Sequence, residues 1–362
     1  MTKTQKIWVM NRYATGPMGD DNLVLREEPV AEPKEGEIRV RNVYLSVDPT
    51  NGPWLSPNPT YLPPMAIGDP ARGFVIGVIE KSRAKGWAEG DVVFGLMYWA
   101  EYCVVDPEKV IFMMKMPPAD DVSLEASMCA LSMLGHTAYY GMLVKGRPLP
   151  SETVLVSGAA GATGSLAGQM AKLAGARVVG IAGGEAKCRT LIEEFGFDAA
   201  IDYKKGELTQ AIAAACPNGV DVFFDNIGGP TLDAALANLA DVARVVMCGS
   251  ISSYSNLHDA RAAVSGTTAA AGQQAPAIPS LKNTLGIFFR KATMEGILVF
   301  DFFGSRQQKK CARHLVQWYR EGKLRYRSHI LDGIESAFPA IRMLYSGDNQ
   351  GKLLVRVADF AR

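Results

Sequence analysis

Three glycines, Gly158, Gly161 and Gly164, fall within Ser157-Gly158-Ala159-Ala160-Gly161-Ala162-Thr163-Gly164-Ser165, directly after the apolar run Thr153-Val154-Leu155-Val156. Residues this small let a backbone approach a pyrophosphate, and the helix predicted to follow offers free N–H groups and partial positive charge at its start. A glycine triad alone is a weak signal, and a tight turn that needs glycine only for packing is the competing meaning. Here strand, triad and helix occur in order inside a repeating β/α pattern, which is the context dinucleotide binding requires. The chemistry served is hydride transfer, in which the cofactor carries the reactive atom and the protein supplies orientation and charge stabilisation.

The end of the next strand discriminates between cofactors. An NAD site places Asp or Glu there to bond the ribose hydroxyls. This chain has Gly180-Ile181-Ala182-Gly183-Gly184 instead, with Glu185 slightly late and Lys187 and Arg189 close behind. A missing carboxylate leaves room for a 2′-phosphate, and a cation pairs with it. NADP(H) is therefore favoured, although Lys187 is also readable as a solvated helix residue. Tyr203 is a further candidate for the same phosphate, which spacing alone does not establish.

Reducing a carbonyl or an activated C=C bond puts negative charge on oxygen, and a hydrogen-bond donor near that oxygen helps. Zinc does this in metal-dependent enzymes, but no ligand set is visible here. No two of the six cysteines lie within four residues of each other, and His136, His258, His314 and His329 form no cluster with them. The expectation is no metal, with a tyrosine or a cofactor hydroxyl as the donor; His136 reads as a packed residue rather than a ligand. Scattered cysteines also argue against a disulfide framework and fit a reducing, cytoplasmic setting.

Lys and Arg total 38 against 37 Asp and Glu, which gives no electrostatic reason to expect nucleic acid or an anionic membrane as partner. No basic start followed by an apolar core suggests a signal peptide. The apolar stretch from Leu285 to Phe303 is broken by Arg290, Lys291 and Glu295, so it reads as a buried strand with flanks, not a membrane span.

Two kinds of pattern must position these residues. Up to about residue 130 the chain is β-rich, with short strand candidates such as 37–47, 73–79, 91–95 and 102–105 separated by turn signals, as in a barrel or sandwich. From about 150, strands alternate with helical patterns: 153–156, a helix over 165–174, 177–181, a helix over 185–195, 199–201, 220–224, 244–247 and 295–299. That alternation predicts a parallel sheet covered on both faces. The segment His258–Ser280 is rich in Ala, Gly, Ser and Gln and reads either as a mobile loop over the cleft or as a plain linker. An amphipathic helix over 307–321 and a strand pair around 326–330 and 351–357 close the chain.

Several segments together resemble the zinc-independent medium-chain dehydrogenase/reductases, specifically the leukotriene/prostaglandin reductases, plant alkenal double-bond reductases and bacterial NADPH-dependent curcumin reductases. They are Val43-Tyr44-Leu45-Ser46-Val47-Asp48-Pro49, Tyr61-Leu62-Pro63-Pro64, Thr137-Ala138-Tyr139, 156–165, Phe224-Asp225-Asn226-Ile227-Gly228-Gly229, 248–255 and Gly347-Asp348-Asn349-Gln350-Gly351-Lys352. The resemblance covers nearly the whole chain. It implies an α/β fold: a GroES-like β-rich domain from residues 1–131 and 321–362, and a Rossmann-type doubly wound domain from 132–320. It implies that Gly161, Ala162, Thr163 and Gly164 bind the pyrophosphate, and that Lys187 and Tyr203 hold the 2′-phosphate. It places Asn226, Cys248, Gly249, Ser250, Ile251, Ser252, Ile297, Leu298, Val299 and Asn349 against the cofactor as well. Tyr254 matches the tyrosine near the nicotinamide ribose and the substrate oxygen. The implied reaction is conjugate reduction of an enone or enal, with hydride to the β-carbon, Tyr254 and a ribose hydroxyl on the enolate oxygen, and a proton to the α-carbon. A small hydrophobic carbonyl substrate and a homodimer are further implications.

The chain departs from the family where Tyr-Met-Arg normally follows Asp-Pro. Here Asp48-Pro49 is followed by Thr50-Asn51-Gly52-Pro53-Trp54, which removes an aromatic wall and a hydroxyl from the substrate pocket. The element before Thr137 is also altered, reading Met133-Leu134-Gly135-His136. Trp54, Trp99 and Tyr61 either rebuild an aromatic pocket or belong to the core. Tyr254 has a lesser alternative role, positioning the cofactor only. Quinone reduction, and NADPH binding without turnover, remain open beside enone reduction.

Overall fold

A computed structural model describes residues 3–14, 18–116, 121–254 and 281–360. The segment His258–Ser280 lies outside the described residues.

The strands are β1 (Thr4–Met10), β2 (Leu23–Pro29), β3 (Ile38–Ser46), β4 (Arg72–Ser82), β5 (Val92–Tyr98), β6 (Tyr102–Val105), β7 (Met113–Lys115), β8 (Thr153–Val156), β9 (Arg177–Ala182), β10 (Ala199–Asp202), β11 (Val220–Asp225), β12 (Leu239–Met247), β13 (Thr293–Gly296), β14 (Ser328–Asp332) and β15 (Lys352–Arg356). β1 and β2 form a small antiparallel ribbon. A seven-stranded sheet runs β14-β15-β3-β4-β5-β7, with β6 also paired to β3. Its pairs are antiparallel except β14 with β15, the late strand pair expected from the sequence, whose two members run parallel. This is the GroES-like part.

The second sheet has six strands, all parallel, in the order β10-β9-β8-β11-β12-β13. Numbered from β8 as the first, that is 3-2-1-4-5-6, the Rossmann order, and the order reverses between β8 and β11. Every residue of β8 is buried, and five of the six in β11 are, as expected of central strands covered on both faces. One apolar core spans one face of this sheet and the first sheet; a second fills the opposite face.

Helices begin and end close to their predicted limits. The one after the glycine loop spans Ala162–Leu173, the next Glu185–Glu193, and the late amphipathic one Arg306–Arg320, where the Ser305 hydroxyl accepts the Gln308 N–H at the first turn. Among the described residues no helix is long and apolar enough to cross a membrane.

The stretch 285–303 corrects the sequence expectation. It is not a buried strand: a short helix (Leu285–Phe289) and a 3-10 turn (Val299–Phe302) flank β13, all four of whose residues are exposed. The reason is position. Among the described residues β13 is the last strand of its sheet and has a neighbour on one side only, so its apolar flanks mark an edge.

Candidate active site

A single cavity of roughly 670 Å³ runs from Lys187 and Tyr203 at one end, past the glycine loop, to Phe94 at the other. It passes the point where the strand order of the parallel sheet reverses, the usual ligand crevice of such sheets.

The glycine loop forms the floor. Gly158 has φ +56°, a left-handed conformation that side chains disfavour. A Cβ added at Gly164 would stand 2.5 Å from the Gly158 carbonyl oxygen, so the helix start can lie this close to the strand end only with glycine. The helix N-cap is Gly161, which has no side chain to cap with, so the first-turn N–H groups face the cleft open. Open donors beside a small-residue floor fit a pyrophosphate.

Across the switch point, Asp225 ties the loop down. Its fully buried carboxylate accepts from the Ser157 hydroxyl at 2.6 Å and from the N–H groups of Ile227 and Gly228 at 3.0 and 3.1 Å. Burial pushes its proton affinity up. The Asn226 side-chain amide donates to the Ser157 carbonyl at 2.7 Å, which leaves its own oxygen for the cleft.

At the Lys187 end of the cavity the missing acid has a spatial cause. A Cβ on Gly183 would lie 2.8 Å from the Tyr203 ring, which covers that position. The Asp202 carboxylate accepts from the N–H groups of Gly184 at 2.8 Å and Lys204 at 3.0 Å, which hold its pKa below the ordinary carboxylate range. The Lys187 ammonium is half-buried and donates to the Gly347 carbonyl at 2.7 Å; burial, then the neighbouring Lys204, lower its proton affinity. Arg189, the other cation near this strand end, pairs with Glu185 at 3.0 Å on the exposed helix face and does not line the cavity. Lys204 does line it and was missed, although it directly follows Tyr203.

At the inner end, Cys248, Gly249, Ile251, Ser252 and Tyr254 line the cavity beside Ile297, Leu298 and Val299, and Asn349 enters from the last segment. Ser250 is off the wall: its hydroxyl bonds Ser253 at 3.2 Å, and its N–H points to the Tyr254 hydroxyl oxygen at 3.4 Å. Burial raises the Tyr254 phenol and pushes the Cys248 thiol up to about 12, so both stay protonated near neutrality. An accepted N–H leaves the Tyr254 proton free to donate into the cavity.

Beyond Tyr254 the wall is apolar and aromatic, with Thr50, Tyr61, Phe74, Phe94, Phe300 and Tyr345. Tyr61 is 44% exposed and open to the cleft, whereas Trp54 (3%) and Trp99 (1%) are core. One charge pair reaches this wall: buried Lys352 on β15 donates to Asp48 at 2.7 Å and to the Val47 carbonyl at 2.8 Å. It joins the segment after β3 to β15, each charge of the pair offsetting the other. Tyr345, Phe300 and this pair were not legible in the sequence, since they come from segments far apart in the chain.

His136 is buried, with Nδ1 2.8 Å from the Ser132 carbonyl and its ring against Phe303, as a packing residue should be. Among the described residues no group of three or more His, Cys, Asp or Glu is placed to hold a metal ion.

Two family models match the chain: the N-terminal domain of oxidoreductase over residues 6–113 and zinc-binding dehydrogenase over 162–315. NADPH-dependent curcumin reductase of Escherichia coli is 34% identical, over 97% of this chain and 96% of that protein. 2-Alkenal reductase (NADP(+)-dependent) of Nicotiana tabacum is 32% identical, over 97% and 96%. Among solved structures, CurA from Vibrio vulnificus in complex with NADPH superposes with a TM-score of 0.86 at 30% identity, covering 98% of this chain and 100% of that one. With both halves matched and relatives aligned over almost the full length, the chain belongs to the medium-chain dehydrogenase/reductase family.

Proposed function

We propose that this protein is an NADPH-dependent reductase of the C=C bond of α,β-unsaturated ketones and aldehydes. The observation that carries this is one continuous cavity lined by the glycine loop with Lys187 and Tyr203, by Tyr254, and by apolar and aromatic side chains that include Phe74, Phe94 and Phe300. Relatives named for curcumin and 2-alkenal reduction support it.

In this reading the open N–H groups from Ala162 to Gly164 hold the pyrophosphate, Lys187, Lys204 and Tyr203 the 2′-phosphate, and Asn226, Cys248, Gly249, Ile251, Ser252, Ile297, Leu298, Val299 and Asn349 the remainder. When bound, NADPH supplies a hydride to the β-carbon of the substrate. The pocket beyond Tyr254 excludes water and holds the acceptor flat. Tyr254 donates a hydrogen bond to the carbonyl oxygen, where negative charge gathers as the C=C bond is reduced. Residues 1–131 with 321–362 act as the substrate half and 132–320 as the cofactor half. The reaction needs no zinc, and the scattered, unpaired cysteines suit a reducing cytoplasm.

The test is NADPH oxidation with 4-phenylbut-3-en-2-one, run before and after exhaustive dialysis against a chelator, with the product identified. The expected product is the saturated ketone, at equal rates in both preparations. An allylic alcohol, or turnover of quinones alone, sinks the assignment, and a rate lost on chelation and restored by Zn²⁺ sinks the zinc-free part.

The exposed edge of β13 is proposed to pair with the same edge of a second copy. Leu285 (65% exposed), Phe288 (74%), Phe289 (68%) and Met294 (42%) form an apolar patch beside it. Light scattering should give the mass of two chains, falling to one in a Phe288→Asp/Phe289→Asp double variant. A monomeric parent protein removes the proposal.

A further inference from the structure

Gly52 lies in the loop that departs from the family. Its φ of −62° and ψ of −58° are ordinary right-handed values that any residue adopts, so its backbone does not require glycine. Space does. A Cβ there would stand 2.2 Å from the Tyr345 hydroxyl oxygen. Tyr345 enters from the Ala337–Ser346 helix, is half-buried, and donates its hydroxyl proton to the Pro49 carbonyl at 2.8 Å. Its phenol is thus fixed at both ends, by the helix at its Cα and by Pro49 at its tip. Tyr345 lines the same cavity as Thr50, Tyr61 and Tyr254.

We propose that Tyr345, seated over Gly52, limits the size of the group carried on the carbonyl carbon of the acceptor. This rests on the enone-reductase reading. If Tyr254 receives the carbonyl oxygen, the second substituent of the same carbon must extend along whatever wall stands beside that hydroxyl. Tyr345 is such a wall, and the bond to Pro49 keeps it from swinging aside. Aldehydes and methyl ketones fit against it, and bulky ketones meet the ring. The β-substituent points along the cavity, away from this wall, and is not limited by it.

The test compares two acceptors that share a β-phenyl group. One, 4-phenylbut-3-en-2-one, has a methyl on the carbonyl carbon; the other, 1,3-diphenylprop-2-en-1-one, has a phenyl. The ratio of their kcat/KM values is measured for the parent protein and for Tyr345→Ala, Tyr345→Leu and Tyr345→Phe, with NADPH affinity by fluorescence to verify each fold. Ala and Leu should raise the diphenyl-to-methyl ratio about tenfold or more, whereas Phe, which keeps the ring but loses the bond to Pro49, should fall between the parent and Ala. A ratio unmoved in an Ala or Leu variant that binds NADPH normally overturns the assignment of Tyr345 alone. Failure of the parent protein to reduce the C=C bond of either acceptor overturns the enone reading, and this assignment with it.

Discussion

Replacing Lys187 by alanine should raise the dissociation constant for NADPH by about ten- to a hundredfold while leaving that for NADH within about threefold. The size follows from a charge-assisted bond to a phosphate dianion, which NADH lacks. The structure adds a reason for the selectivity. The ammonium is half-buried, sits near Lys204, and donates to the Gly347 carbonyl. Burial and the like charge both disfavour its proton, and an arriving phosphate reverses the second effect. Lys204 keeps part of the attraction in the single variant, so the Lys187→Ala/Lys204→Ala pair should lose more than either change alone. Fluorescence titration with both cofactors is the measurement; an equal loss for NADH and NADPH would remove the phosphate role.

The second large effect is at Tyr254. Tyr254→Phe should lower kcat for enone reduction by about a hundredfold, with NADPH affinity nearly unchanged, because one donor to a developing oxyanion is lost at the step where charge appears. Little structure is lost with it. Among the described residues the hydroxyl accepts one long contact, from the Ser250 N–H, and the ring keeps its packing. A loss smaller than about threefold in kcat, or a loss mainly in NADPH binding, would assign Tyr254 to cofactor positioning only.

Legibility differed along the chain for physical reasons. The parallel sheet was readable because buried strands are continuous apolar runs and their helices repeat every few residues. The glycine loop was readable because its chemistry depends on residues adjacent in sequence. The preference at Gly183 was legible as a missing acid, but its cause, the ring of Tyr203 twenty residues on, was not. β13 was misread as buried because apolar residues at a sheet edge look like core until the neighbours are known. Lys204 was overlooked beside a residue already named. Arg189 shows the opposite error: a cation of the right type near the right strand, turned outward to Glu185. The pocket was the least legible part. Thr50 was marked as unusual, but what stands beside it comes from a helix almost three hundred residues later, and no local pattern reports that.

β15 lies between β14 and β3, and apart from these two late strands the sheet comes from the first third of the chain. The Lys352 ammonium fastens to Asp48 at 304 residues' separation, and the Trp8 indole donates to the Ile334 carbonyl at 326. The strands of this sheet that are made first therefore lack β14 and β15 until synthesis has passed residue 356, while the parallel sheet has all its strands some thirty residues before β14 emerges. The edge of β3 that takes β15 therefore stays open while the parallel sheet can already be completed, and the cavity gains Asn349 and Lys352 later than its walls from the parallel sheet.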